Sequence, residues 1–249
     1  CIGSSFSLRK TNIPHIGLYG ACSTMAESLL MASMAVGGGF VDNAVAMTSS
    51  HFASSERQYR FPLGYGGQRT PTAQWTVTGA GAALLCTSGT GPRIECCTIG
   101  TVTDLGIKDA NNMGAAMAPA AAETIQSFLS DTNTKPEDYD LILTGDLGKV
   151  GSELLIDLLK KDFSIDISSV HNDCGLLIYD LENQDMHSGG SGCGCSASVV
   201  NSLIMKQLTS KQLNKVLFVG TGALLSTTSS LQGESVPGIA HGVLLTSGE

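Results

Sequence analysis

An internal repeat limits what this chain can fold into more than any other feature. Cys22-Ser23 stands 26 positions before Thr48, and Cys195-Ser196 stands 26 positions before Thr221, so the two copies align without a gap. Each copy opens on a turn of small residues, at 20–22 or 189–195, and continues in an apolar stretch that runs to Val36 or Leu208. Each then breaks, at Gly37-Gly38-Gly39 or at 209–214, and closes in a strand-like run at 43–50 or 216–222. A turn that opens a helix, followed by a return strand, is the sequence form of a crossover onto a parallel sheet. Two such copies predict an α/β fold of two halves related by a pseudo-twofold axis.

The helix after Cys22 carries Met25, Ala26, Leu29, Leu30, Met31, Ala32 and Met34, apolar on more than one face. It is therefore expected to be buried between two sheets, in a five-layered αβαβα arrangement with helices at the centre. With 30 glycines and only 5% aromatic residues, the core has to rest on small side chains and close backbones. Residues 78–85 and 94–99 read as neighbouring strands joined by a turn at 89–92. Beyond them the pattern predicts a helix over 117–129, a strand at 141–144, a helix over 152–161 and a strand at 176–179. The halves divide near Gly114, giving a first half over 1–114 and a second over 115–249.

Composition removes several functions. A formal charge of −8 and a pI of about 5.0 lack the basic footprint of a nucleic-acid binder. Apolar runs reach core-strand length and not that of a spanning helix, so a soluble chain is expected, attached to a membrane only through a partner. The chain opens on Cys1 rather than Met, and residues 2–9 have no basic start, so that stretch does not read as a signal peptide. The eight cysteines are spread over a chain large enough to fold without staples and are expected as reduced thiols. Neither Cys96-Cys97 nor Cys193-Gly-Cys195 has the spacing of a zinc site. The runs at 145–151 and 189–194 lack the rest of a phosphate-binding motif, so no metal, nucleotide or nicotinamide cofactor is expected.

Gly-Ala-Cys-Ser-Thr at 20–24 resembles the nucleophile elbow of the thiolase and ketoacyl-synthase superfamily. Longer strings are more specific. Thr48-Ser-Ser-His51, Glu56-Arg-Gln-Tyr-Arg60, Gly64-Tyr-Gly-Gly-Gln68, Trp75-Thr-Val-Thr-Gly-Ala-Gly81, Leu143-Thr-Gly-Asp-Leu-Gly148, Asp173-Cys-Gly175 and the run at 189–196 resemble the stage V sporulation protein AD family. So does the closing stretch at 232–241, and the resemblance covers essentially the whole chain. It implies that the first half lacks its opening strand, helix and second strand. It further implies a thiolase-like protein that binds dipicolinic acid, pyridine-2,6-dicarboxylate. Such a protein acts with membrane-embedded proteins of the same sporulation operon, peripheral to the spore inner membrane, to move the acid with calcium during sporulation and germination. A homodimer is compatible with that reading.

Site candidates follow from the residues and from the resemblance together. Cys22 at a helix N-terminus is either an acyl-accepting nucleophile, as in a thiolase-type acyltransferase, or a small residue where a strand turns into a helix. The superfamily's catalytic His falls, by the resemblance, at Asp146, and its Asn falls within 190–195, the turn that carries Cys193. An anionic carboxylate cannot donate to a developing oxyanion as a His does, so the catalytic set reads as degenerate and points to a binder rather than a synthase. His51 closes the strand after the Cys22 helix; it would donate to a carboxylate ligand, pair with the thiol, or serve only as a strand-end His. His241, expected at the start of the last strand, carries the same alternatives. His15, His171 and His187 read as structural or exposed. Arg57, Arg60 and Arg69 are the cations suited to a dicarboxylate, with pairing to Glu56 or Glu95 as the alternative.

Overall fold

The computed structural model describes residues 2–59 and 68–248, without the side chains of Ile2 and of 57–59. In chain order the elements are α1 (Ile2–Leu8), α2 (Thr24–Gly37), β1 (Asn43–Ser50), α3 (Phe52–Tyr59), β2 (Trp75–Thr76), β3 (Gly79–Cys86) and β4 (Arg93–Thr98). Then come α4 (Met113–Thr132), β5 (Leu141–Thr144), α5 (Gly148–Phe163), β6 (His171–Asp173), α6 (Cys174–Leu177), β7 (Gly190–Ser191) and α7 (Cys193–Val199). A π-helical stretch, Val200–Ile204, continues α7 into α8 (Met205–Thr209), and β8 (Lys215–Ala223), α9 (Thr227–Leu231) and β9 (Gly238–Thr246) complete the chain.

The repeat is visible in the pairing. A five-stranded sheet has the order β4-β9-β8-β5-β6, with β5 parallel to β6 and β8, and β9 antiparallel to β8 and β4. In the first half β1 pairs antiparallel with β3 as β8 does with β9, and the repeat-equivalent threonines sit opposite Gly81 and Ala240. Side chains of β5 and β8 alternate between two cores. Ile142, Leu217 and Val219 pack with Met117, Phe128 and Leu155 of α4 and α5, while Leu143, Val216 and Phe218 pack with Met25, Leu29 and Cys195 of α2 and α7.

The two central helices are buried over most of their surface, although Met31 and Met34 of α2, expected inside, are exposed, and each helix lies against the sheet of the other half. A Cβ on Gly220 of β8 would sit 2.5 Å from the Ala26 Cβ of α2, and one on Gly81 of β3 would sit 2.5 Å from the Ala197 carbonyl of α7. Glycine is needed at both crossings because helix and strand backbones nearly touch there. Four layers stand among the described residues: α4 with α5, the five-stranded sheet, the central helices, and the β1–β3 sheet. The outer face of that last sheet carries exposed Val45, Met47 and Leu84.

Two elements differ from the sequence reading. Strands 79–86 and 93–98 are not neighbours: β3 joins β1 and β4 joins β9 at the edge of the large sheet. The connection at 87–92 is long enough, at about 20 Å when extended, to carry the chain between sheets. The segment expected as a strand at 176–179 begins in helix α6 instead, because Asp173 caps it by accepting from the Gly175 amide at 2.9 Å. The strand of that region is β6, three residues upstream of the expected start at its last residue.

Candidate functional site

Cys22 sits in a single 3-10 turn, Ala21–Ser23, that opens α2. Ala21 holds φ at 52°, in the left-handed region that costs an L-residue, so the elbow is a strained turn kept in place by its surroundings. Ser23 donates to the Gly20 carbonyl through both amide and hydroxyl, and the Thr24 hydroxyl donates to the Ala21 carbonyl. The turn rests on β8 at Gly222, where a Cβ would lie 2.4 Å from the Gly20 carbonyl oxygen.

Asp146 leaves the end of β5 and is fully buried. Its Oδ1 accepts from Thr221 Oγ1 at 2.9 Å; its Oδ2 accepts from the Gly192 amide at 2.8 Å and from Ser191 Oγ at 3.0 Å. The Cys22 thiol also donates to this carboxylate. Burial pushes the Asp146 carboxyl up, and these donors work against that push. The sequence-derived placement of Asp146 at the Cys22 turn therefore matches the geometry. Gln74 ties the two site segments together, its Nε2 donating to the Asp146 carbonyl at 2.7 Å and to the Gly190 carbonyl at 2.8 Å. It arrives with β2, which pairs in parallel with β7.

A second buried carboxylate lies next to the first. Asp173 accepts from Thr144 Oγ1 at 2.6 Å and from the Leu147, Gly148 and Gly175 amides at 2.9 Å each. Burial, with the Asp146 charge adding to it, raises its carboxyl to about 6.

The remaining candidates fall at the margin. Cys193 opens α7 with its thiol donating to the Ser49 carbonyl at 3.2 Å, and burial pushes it up. Next to it, the Gly194 amide donates to Ser50 Oγ at 2.9 Å, which fastens the end of β1 to α7. His51 follows Ser50 with an exposed side chain, and none of the donors described on Asp146 comes from it. His241 lies inside β9 rather than at its start; its Nδ1 accepts from the Gly100 amide at 3.2 Å and burial lowers it. The side chain of Arg57 and the whole of Arg60 lie outside the described residues. Arg69 takes the pairing alternative: it meets buried Glu56 at 2.8 Å and stacks on Trp75 at 3.7 Å. Ser191, Thr221 and Gln74 are not among the site residues the sequence nominates. For Thr221 a signal existed, since it is the repeat partner of Thr48.

A thiol on a strained helix-opening turn, where two pseudo-repeated halves meet, is the arrangement of a thiolase-like protein. Solved structures agree on the fold. A tetronic acid condensing enzyme aligns with a TM-score of 0.60 at 14% identity, covering 98% of this chain and 72% of its own. The 3-oxoacyl-[acyl-carrier-protein] synthase III of Aquifex aeolicus aligns with a TM-score of 0.56 at 13% identity, covering 98% and 71%. More narrowly, a model of the stage V sporulation protein AD family matches residues 1–246. The chain is 49% identical over 243 residues to stage V sporulation protein AD of Bacillus subtilis, covering 98% of this chain and 71% of that protein. The chain belongs to the stage V sporulation protein AD family. Among the described residues no helix is long and apolar enough to cross a membrane.

Proposed function

We propose that this chain binds dipicolinate without transforming it, as the small-molecule-binding member of a spore dipicolinate transport system. The observation that carries the non-catalytic part is the hydrogen bond from Cys22 to Asp146. A carboxylate that accepts the thiol proton favours the neutral thiol, and a negative neighbour opposes thiolate formation. It offers no proton to a developing oxyanion. Thr221 Oγ1, Ser191 Oγ and the Gly192 amide, the other donors described on the Asp146 carboxylate, are already directed at it.

Family membership supports dipicolinate as the ligand. The ligand is a flat dianion at neutral pH and calls for two groups of donors across an apolar slot. The turn that opens the long helix α2, at the positive end of the helix dipole, suits one carboxylate. His51, with help from Arg57 or Arg60 further along the sequence, is proposed for the other. Membrane-embedded proteins of the same operon would hold the chain peripheral to the spore inner membrane. The alternative is a thiolase-type acyltransferase using Cys22, which the strained elbow favours. Intact mass after incubation with acyl-CoA separates the two: an acyl adduct on Cys22 supports the enzyme, and an unmodified chain that still takes up dipicolinate supports the binder.

A further inference from the structure

The Asp173-Cys-Gly175 motif is not used by the functional reading, yet its carboxylate lies directly beneath the site. Asp173 is fully buried, and every hydrogen bond described on its carboxylate is accepted. Two of its donors, the amides of Leu147 and Gly148, belong to the residues that immediately follow Asp146. A third, Gly175, touches the other site segment: a Cβ there would lie 2.4 Å from the Gly190 carbonyl oxygen, next to Ser191. The fourth, Thr144, lies two residues before Asp146 on β5. One side chain thus grips the backbone that follows Asp146 and the Thr144 hydroxyl that precedes it, and it holds Gly175, which abuts the segment that presents Ser191.

We infer that Asp173 is the positioning residue of the site: by holding the turn after β5, it aims the Asp146 carboxylate at Cys22, Ser191 and Thr221. It touches neither ligand nor thiol and acts through Asp146. An asparagine replaces it poorly: its NH2 group faces either the Gly148 and Gly175 amides, or the Leu147 amide and the Thr144 hydroxyl, which would have to turn and accept. Removing the Thr144 hydroxyl loosens the grip on one oxygen and leaves both carboxylates in place. The inference uses the dipicolinate reading for one arm of its test only.

The experiment compares the parent with T144V, D173N and D146N. One arm measures the pH midpoint of Cys22 alkylation by iodoacetamide, read on the Cys22 peptide by mass spectrometry. D146N should lower the midpoint, since it removes a negative neighbour of the thiol. T144V and D173N should lower it as well; T144V removes no ionisable group, so its shift reports the hold on Asp146 rather than a deleted carboxylate. In the other arm, dipicolinate affinity should fall about tenfold in D173N and about threefold in T144V, the scale of a lost or weakened hydrogen bond. If D146N moves the midpoint while T144V and D173N keep the parent's, the inference is overturned. A D146N midpoint equal to the parent's overturns it too, since Asp146 then has no hold on Cys22 for Asp173 to set. T144V carries the test if D173N does not fold. A parent that binds no dipicolinate defeats the functional reading alone, and the alkylation arm still decides the role of Asp173.

Discussion

The hydroxyl of Thr221 clasps Asp146 at two points, donating to Oδ1 at 2.9 Å and accepting from the Asp146 amide at 3.1 Å. Side chain and backbone of the buried aspartate are thereby fixed by a single residue from the strand that closes the second repeat. Thr221→Val keeps the shape and removes both bonds, leaving buried polar groups short of a partner. It should lower stability by about 1–3 kcal/mol, whereas Thr221→Ser should stay close to the parent. Urea denaturation of the two variants checks this; equal losses would place the cost in packing instead.

The central interlock should be sensitive to single methyl groups. Gly81→Ala and Gly220→Ala each force a Cβ to within 2.5 Å of a helix atom, and each should cost about 1–3 kcal/mol. Gly17→Ala meets nothing within 4 Å and should change stability by less than about 0.5 kcal/mol. Thermal unfolding of the three variants compares them directly.

Two neighbours on β6 should titrate with opposite effect on stability. Asp173 is raised to about 6, so its contribution is present at low pH and is lost as pH rises through about 6. His171 is lowered to about 4 by burial, with a ring hydrogen bond to the Ile142 carbonyl; its contribution is present above its ordinary value of 6.5 and is lost as pH falls toward 4. The two changes run against each other between pH 4 and 6.5. Relative to the parent, His171→Gln should make stability fall more steeply as pH rises through this window. Asp173→Asn should make it fall more steeply as pH drops. Each slope should change by up to about 1.4 kcal/mol per pH unit, the equivalent of one proton. Denaturation midpoints measured at several pH values give the slopes, and same-signed changes in the two variants would contradict the assignment.

If the thiol is only a donor to Asp146, its loss should matter little for the ligand. Cys22→Ala should bind dipicolinate within about threefold of the parent, the scale of one weak thiol hydrogen bond. A loss of a hundredfold or more, by titration calorimetry, would make the sulfur itself the recognition element.

How much of this was legible before the structure depends on the range of each signal. The repeat announced α2 with β1 and α7 with β8, because periodicity and spacing are local properties. The pairing of β4 with β9 was hidden, since a strand does not encode which distant edge it joins, and the adjacency of 78–85 and 94–99 suggested the wrong partner. The apolar run at 176–179 looked like a strand because the capping carboxylate of Asp173 exerts its effect only through geometry. Within the site, Asp146 was reached through the family resemblance, and the Gly-rich turn at 190–195 through its position. Ser191 and Gln74 left no pattern, since a lone small polar residue is common in any loop until folding places it against a buried carboxylate.

The central claim is that the chain holds dipicolinate noncovalently. Titration calorimetry of the intact chain with dipicolinate, with benzoate as control, tests it most directly. The account predicts saturable binding of one dipicolinate per chain with an unchanged intact mass afterwards, and at least tenfold weaker binding of benzoate, which lacks the second carboxylate. Equal heats for the two acids, or no heat with dipicolinate, would contradict it.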